Sequence, residues 1–373
     1  MESGPFGQNR RIFLTGLGPL FALKAQTASP VRTGMIGIGN RGSLLLTTVL
    51  AESRAKVVAL CDTKPDRLDK AATAAAAVSP TTMSDYRRLL ERKDVDAVFI
   101  ATPCDLHAEM TIAALQAGKH VYCEKPLATT PEAVAAVLRA ARSAHTTFMV
   151  GLQRHSDPGL EAVISKIHDG VAGEVVFIQA QRHAPEDFPT TGSSADWIFD
   201  AKRSGDVIVE QAIHNLDQCN WAAGSHPVRA GGFGGALLSP DRPPGRTITD
   251  GYAVNFDYPN GVKLSFTQIT FHPREMPFGG EQTFVFGSAG AVALETGMFF
   301  PRNSNRKPVQ LNARVRANRE AIHIGKFYDC ILKGRKPETD VTAGAIATLT
   351  AILGREAMYR QKVMTWKELG VDV

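Results

Sequence analysis

Gly34-Met35-Ile36-Gly37-Ile38-Gly39-Asn40-Arg41-Gly42, with Asp62 twenty residues beyond, is the stretch from which the fold of this chain is read. Residues 31–38 suit a buried strand, 43–52 a helix, and 56–62 a second strand ending in a carboxylate. Each glycine of such a turn has a physical task. Gly37 permits the tight turn, Gly39 lets the backbone approach a pyrophosphate, and Gly42 lets the helix pack closely on the strand. The helix N-terminus, with unpaired N–H groups and a partial positive charge, faces the phosphates. Asp62 would accept hydrogen bonds from ribose hydroxyls, and its charge would repel a 2′-phosphate, so NAD is favoured over NADP. The strand–turn–helix–strand setting separates this reading from that of a glycine-rich turn that binds nothing.

The alternation continues downstream. Residues 64–78 and 84–92 are expected to be helical, and 95–101 to form a buried parallel strand by its apolar run. Thr102-Pro103 breaks that strand at its carboxyl end, where open α/β sheets place their ligands. A helix over 106–117, a strand over 120–124, a helix over 131–144 and a strand over 147–151 complete a doubly wound α/β domain spanning 31–150. Beyond it the pattern predicts a helix over 157–169 and a strand over 174–183. Short strands over 253–257, 263–270, 283–286 and 291–295, separated by turns such as Pro259-Asn260-Gly261, suggest a largely antiparallel sheet. Residues 151–340 are therefore assigned to a substrate-binding and oligomerisation domain, and 341–373 to a C-terminal helix and tail; helices expected over 319–333 and 341–360 pack back on the first domain. Residues 231–251, rich in Gly, Pro and Arg, read most simply as a long loop.

At 373 residues the chain is long enough for two well-buried cores, and 44% hydrophobic with 21% charged residues is ordinary for a globular protein. No apolar run is long enough to cross a bilayer. The net charge of +5 is spread out, without the basic block that nucleic-acid binding would call for. Five scattered cysteines, odd in number and without CxxC, fit buried thiols rather than disulfides or zinc. Asn9-Arg10-Arg11-Ile12-Phe13-Leu14-Thr15 resembles a twin-arginine export signal. A short apolar stretch, 16–23, follows it, interrupted by Lys24 and without a clean A-x-A cleavage site. The expected location is periplasmic, and the alternative is a cytoplasmic protein with an unstructured tail at 1–30.

Two constellations can do chemistry. Glu124-Lys125-Pro126 ends a strand on the cofactor side of the sheet, where an ammonium can hydrogen-bond the oxygen that changes charge during hydride transfer. Downstream, Glu210, His214 and Asp217 are spaced by four and three, which puts them on one face of a helix expected over 210–221. A histidine between two carboxylates is held in orientation and has its pKa raised, which suits a proton shuttle. One histidine without a second ligand cluster does not make a metal site. Gln153, Arg154 and His155 follow the last strand of the first domain and could reach the nicotinamide or a substrate. Arg182 and His183 end a strand, and Asp196-Trp197 offers an aromatic face beside an acid. His272 reads as a loop residue.

Taken in order, Gly37-Ile38-Gly39-Asn40-Arg41-Gly42, Thr102-Pro103 with His107, Glu124-Lys125-Pro126 and the 210–217 segment resemble the Gfo/Idh/MocA oxidoreductases. That family is named for glucose–fructose oxidoreductase, inositol dehydrogenase and a rhizopine-catabolism protein. The resemblance covers roughly 31–360. It implies a Rossmann domain followed by an α/β domain whose open sheet covers the active site and often mediates homodimers or homotetramers. It further implies NAD contacts from Gly37, Gly39, Asn40, Arg41, Gly42, Asp62, Thr102, Pro103, His107, Glu124, Lys125 and Gln153. Lys125 would polarise, and His214 exchange a proton with, a sugar or cyclitol hydroxyl, near Arg154, Arg182, Trp197 and Asp217. The family commonly has Asp four residues before the histidine, where this chain has Glu210. The implied activity is NAD-dependent oxidation of a secondary hydroxyl. The alternative is an NAD-dependent glycosidase that oxidises, eliminates, hydrates and re-reduces. A nucleotide-binding regulator without chemistry would lack Lys125 or His214, and both are present.

Overall fold

The computed structural model describes residues 29–185, 195–238, 243–312 and 317–373. The twin-arginine stretch and the apolar residues after it lie outside the described residues.

The first domain is built as its apolar runs dictate. Strands β1 (Val31–Ile36), β2 (Ala55–Cys61), β3 (Thr81–Met83), β4 (Ala97–Ile100), β5 (His120–Cys123) and β6 (Phe148–Val150) form one parallel sheet in the order β3-β2-β1-β4-β5-β6. Helices α1 (Asn40–Leu50), α2 (Pro65–Ala74), α3 (Tyr86–Glu91), α4 (His107–Gln116) and α5 (Pro131–Ser143) connect them. The strand order reverses between β1 and β4, which opens a crevice at their carboxyl ends. That crevice lies beside Gly37, Thr102 and Lys125, each just past the end of a strand. Edge strand β3 has no apolar run to announce it, because Thr81 and Thr82 face solvent. The helix expected over 64–78 gives way to a short 3₁₀ turn, Ala76–Val78.

Helix α6 (Pro158–His168) and strand β7 (Val175–His183) open the second unit. Three helices follow: α7 (Ala201–Ser204), α8 (Val207–Glu210) and α9 (Ile213–Ala223). Then come β8 (Arg229–Gly235), β9 (Gly251–Asp257), β10 (Lys263–Ile269), β11 (Gly280–Gly287), β12 (Gly290–Ala293), β13 (Met298–Pro301) and β14 (Val309–Gln310). Helices α10 (Arg319–Lys333) and α11 (Val341–Tyr359) and a last strand, β15 (Met364–Thr365), end the chain. Among the described residues the sheet order is β14-β13-β12-β11-β7-β10-β9-β8-β15, antiparallel except where β7 runs parallel to β10. Alternation sets its faces. Leu264, Phe266 and Gln268 of β10 are buried, whereas Lys263, Ser265 and Thr267 point to the other side.

Three sequence expectations change. Residues 231–235 are not loop but the body of β8, and their glycines serve close packing. A Cβ on Gly234 would sit 2.4 Å from the Tyr252 Cβ and 2.9 Å from the Met358 sulfur. The helix expected over 210–221 is broken at Gln211 and Ala212, so Glu210 ends α8 while His214 and Asp217 ride on α9. Helix α11 packs on both domains, not only the first: Thr348 Oγ1 accepts the Leu127 N–H at 3.1 Å, and Thr350 Oγ1 accepts from Asn220 at 2.9 Å. Helix α10, in the 319–333 stretch, lies on the Rossmann sheet. Its Phe327 stands edge-on to Phe99 at 5.4 Å, and its Tyr328 hydroxyl meets Thr33 Oγ1 at 2.9 Å.

All five cysteines are buried free thiols. Among the described residues no helix is long and apolar enough to cross a membrane, and no cluster of His, Cys, Asp or Glu is placed to hold a metal ion.

Candidate active site

The crevice at the β1–β4 switch is a cleft of about 380 Å³ lined by Gly37, Gly39, Asp62, Thr102, Lys125 and Glu210, among others. Its floor is fixed by glycines that tolerate no side chain. Gly37 has φ +84°, and a Cβ there would lie 2.7 Å from the Ala101 carbonyl oxygen. A Cβ on Gly42 would lie 1.9 Å from the Gly37 carbonyl oxygen. Gly39 caps α1 with no side chain in the way. Asp62 sits at the end of β2, buried, with Oδ2 accepting the Ile38 N–H at 2.7 Å and Oδ1 the Lys64 N–H at 2.9 Å. Each oxygen keeps a lone pair for a further donor. Two enclosed polar atoms in the lining, Thr102 Oγ1 and Gln153 Oε1, have no hydrogen-bond partner. A bare glycine cradle, a carboxylate at the second strand's end and two orphaned oxygens fit a dinucleotide.

Arg41, Glu124 and His107 line the cleft and also carry contacts that fix its walls. Arg41 donates from Nε to Glu124 Oε1 at 2.8 Å and from its terminal nitrogens to the two oxygens of Glu320 at 2.9 and 2.7 Å. Burial opposes its charge, and Glu124 and Glu320 more than restore it, so the Arg41 pKa is raised. Arg41 and Glu124 therefore tie α1 and β5 to the first turn of α10, a partnership across 279 residues that no local pattern reveals. His107 places Nδ1 2.6 Å from the Pro126 carbonyl oxygen and Nε2 2.9 Å from that of Thr102. Its ring, neutral-leaning because it is buried, braces the two loops that edge the cleft.

Lys125 meets Glu210 across the domains. Its ammonium donates to the Glu210 carbonyl oxygen and, at 3.2 Å, to Glu210 Oε1. His214 does not lie between carboxylates. Burial, then the cations Lys125, Arg154 and Arg41, push its pKa well below the ordinary histidine value, the reverse of the expected rise. Its enclosed Nδ1 has no partner. The expected neighbour, Asp217, has turned away: its Oδ2 lies 2.9 Å from His155 Nε2. His155 also stacks on Trp221, with ring centres 4.2 Å apart, and Glu338 stands 3.7 Å from its Nδ1. Burial works against the His155 charge, yet attraction and hydrogen bonding from Asp217, with Glu338 behind, raise its pKa to about 10. The helix break at 211–212 and the fold of the 153–156 turn produced this exchange of partners, and spacing alone carries no trace of it.

Arg154 faces a second cavity, of about 310 Å³, which it lines with Gln218, Glu281, Glu295, Asn312 and Arg319. It pairs with Glu281 at 2.6 Å and donates to Gln218. Gln218 lies one helical turn past His214 on α9, so this cavity borders the His214 face. Arg182 points inward from β7 and donates to Gln211 Oε1 at 2.9 Å, bracing the α8–α9 bend. Trp197 and Asp196 line the dinucleotide cleft, together with Arg203, which the sequence reading did not single out. Arg203 reaches Asp105 of the first domain at 3.4 Å. His183 and His272 lie parallel at 6.0 Å, away from both cavities.

Comparison with known proteins agrees with this architecture. Residues 31–152 match an oxidoreductase family with an NAD-binding Rossmann fold, GFO/IDH/MocA, and residues 160–293 match that family's C-terminal domain. An inositol 2-dehydrogenase of Rhizobium meliloti (strain 1021) is 30% identical over 285 residues, 75% of this chain and 78% of that protein. A glycosyl hydrolase family 109 protein of Stenotrophomonas maltophilia (strain K279a) is 33% identical over 191 residues, 47% of this chain and 42% of its own. The solved structure of a levoglucosan dehydrogenase in complex with NADH and levoglucosan shares the fold with a TM-score of 0.76, at 20% identity over 90% of this chain and 99% of that one.

Proposed function

The chain belongs to the GFO/IDH/MocA oxidoreductase family, and from that premise we propose that it is an NAD-dependent enzyme oxidising a secondary hydroxyl of a sugar, sugar derivative or cyclitol. The observation that carries this is Lys125, held by Glu210 at the inner end of a glycine-floored dinucleotide cleft. NAD, when bound, supplies the hydride acceptor. His214, kept neutral by burial and by the cations around it, takes the hydroxyl proton on its imidazole. Lys125 donates a hydrogen bond to the same oxygen and stabilises the charge that develops there. The cavity beyond His214 offers donors on Arg154, Gln218 and Asn312 and acceptors on Glu281 and Glu295, the mixture a polyol needs. Asp62, with its remaining lone pairs, supports NAD over NADP.

The glycosidase cycle is a second reading, supported by the family 109 relatives and by Arg10-Arg11, since an exported enzyme would gain from regenerating its own cofactor. Self-association through the outer face of the large sheet is part of the proposal. Phe177, Phe233 and Phe300 are exposed there, and light scattering of the purified protein tests it.

The test of function begins with protein purified without added nucleotide, denatured to identify any released dinucleotide, then screened against sugars, cyclitols and glycosides at the reduced-nicotinamide absorbance band. NADH accumulating from added NAD and a free polyol supports the dehydrogenase. Glycoside cleavage with tightly held NAD and no net NADH supports the cycle. Neither activity on a broad panel would refute both.

A further inference from the structure

Asp206 has φ +74° and ψ 164°, a backbone region that is essentially reserved for glycine, yet it is fully buried and carries an acidic side chain. It directly precedes α8, and its own carbonyl oxygen accepts the Glu210 N–H at 2.9 Å. Its carboxylate accepts from the Val207 N–H, from the Thr249 hydroxyl at 2.9 Å and N–H at 3.2 Å, and from the Tyr359 hydroxyl at 2.5 Å. Every partner of the carboxylate is a donor. Thr249 leads into β9 and Tyr359 ends α11, so three separate elements converge on one side chain. Next to it, Arg355 of α11 donates to the Gly205 carbonyl oxygen at 3.2 Å. A left-handed non-glycine residue persists only where its surroundings over-determine it, and these bonds do so.

What this conformation decides is the direction in which the chain enters α8. That helix is four residues long, too short to hold its own course, and it ends at Glu210, whose carbonyl and carboxylate oxygens both receive the Lys125 ammonium. We propose that Asp206 is a positioning residue: its hydrogen-bonded carboxylate holds a glycine-like backbone turn that aims α8, and thereby Glu210, at Lys125. This rests on the reading of Lys125 as the polarising group, and it assigns to a residue outside the cleft the job of placing that ammonium.

Substitution at one position separates backbone from side chain. Asp206→Ala keeps the Cβ that opposes the conformation and deletes the bonds that enforce it, so α8 should swing away from Lys125. Asp206→Gly deletes the same bonds but removes the opposition, so the turn should survive. The readout is the rate at which Lys125 is acetylated by acetic anhydride in the full-length protein, followed peptide by peptide, because it needs no turnover. In Asp206→Ala that rate should rise, and kcat should fall on the order of ten- to a hundredfold with dinucleotide affinity nearly unchanged. Asp206→Gly should restore both toward the wild type, although its melting temperature stays low. Tyr359→Phe, remote from the cleft, should give an intermediate labelling rate and serves should the alanine variant not fold. Equal labelling in the alanine and wild-type proteins would overturn the proposal, as would a glycine variant as impaired as the alanine one. Protection of Lys125 that follows this order in a protein oxidising no polyol would leave the positioning role standing and remove only the functional reading.

Discussion

His155 Nε2 lies 2.9 Å from Asp217 Oδ2, with the His155 ring stacked on Trp221, so the carboxylate three residues after His214 serves a different histidine. The folded pKa of His155, about 10, is above its unfolded value. The pair's contribution to stability is therefore fully present below about pH 6.5 and lost as pH rises toward 10. Melting temperatures of wild type and Asp217→Asn should differ most in mildly acidic buffer, by about 3 kcal/mol in stability, and converge in alkali. A gap independent of pH would mean that His155 is not charged in the folded protein.

His214 has the opposite environment. With its pKa pushed below the ordinary value, it stays neutral at pH 7 and remains able to accept a proton. The acidic limb of kcat/KM should then fall below pH 6.5, and His214→Gln should lower kcat about 10²- to 10³-fold while leaving dinucleotide binding intact. An acidic limb above pH 7 would contradict the neutral ring.

Lys125→Met removes the ammonium that Glu210 holds, and kcat should drop about 10²- to 10⁴-fold. Lys125→Arg keeps the charge but spreads it over a planar fork and should recover little of the loss. Stopped-flow hydride transfer on both variants, alongside dinucleotide titration, measures this.

Asp62→Ala removes the acceptor for the Ile38 and Lys64 N–H groups as well as the proposed ribose contact. NAD affinity should weaken roughly tenfold, about 1.4 kcal/mol, and the ratio of NADP to NAD turnover should rise. Unchanged cofactor preference would show that the carboxylate has only a structural role.

Gly42→Ala would drive a methyl group to 1.9 Å from the Gly37 carbonyl oxygen, a backbone atom that cannot step aside. Loss of dinucleotide binding together with a lowered melting temperature is expected, whereas Gly170→Ala, where no atom lies within 4 Å, changes only a positive-φ turn on the surface.

Much of the architecture was legible because its causes are local. The glycine turn, the apolar runs of β1, β4 and β5 and the carboxylate at the end of β2 each follow from chain geometry and burial over a few residues. The same locality located Lys125, two residues past the end of β5 on the ligand side of the sheet. Where side-chain information thins out, so does the reading: β8 was hidden by its glycines and β3 by its exposed threonines.

What the sequence by itself determined is the Rossmann domain, the mixed second domain and the glycine turn, Asp62 and Lys125 that line the cleft. Which of those residues meet was decided only in three dimensions. Helical spacing joined His214 to Asp217, but the break at Gln211 and Ala212 and the turn at 153–156 gave Asp217 to His155 and left His214 among cations. Arg41, which its motif brings to the cleft lining, is also held there by Glu124 and Glu320, the latter from a helix near the far end of the chain. The reason is one of range. Backbone periodicity is set by neighbours a few residues apart, whereas a buried charge takes whichever opposite charge the packing of distant elements brings within hydrogen-bonding distance.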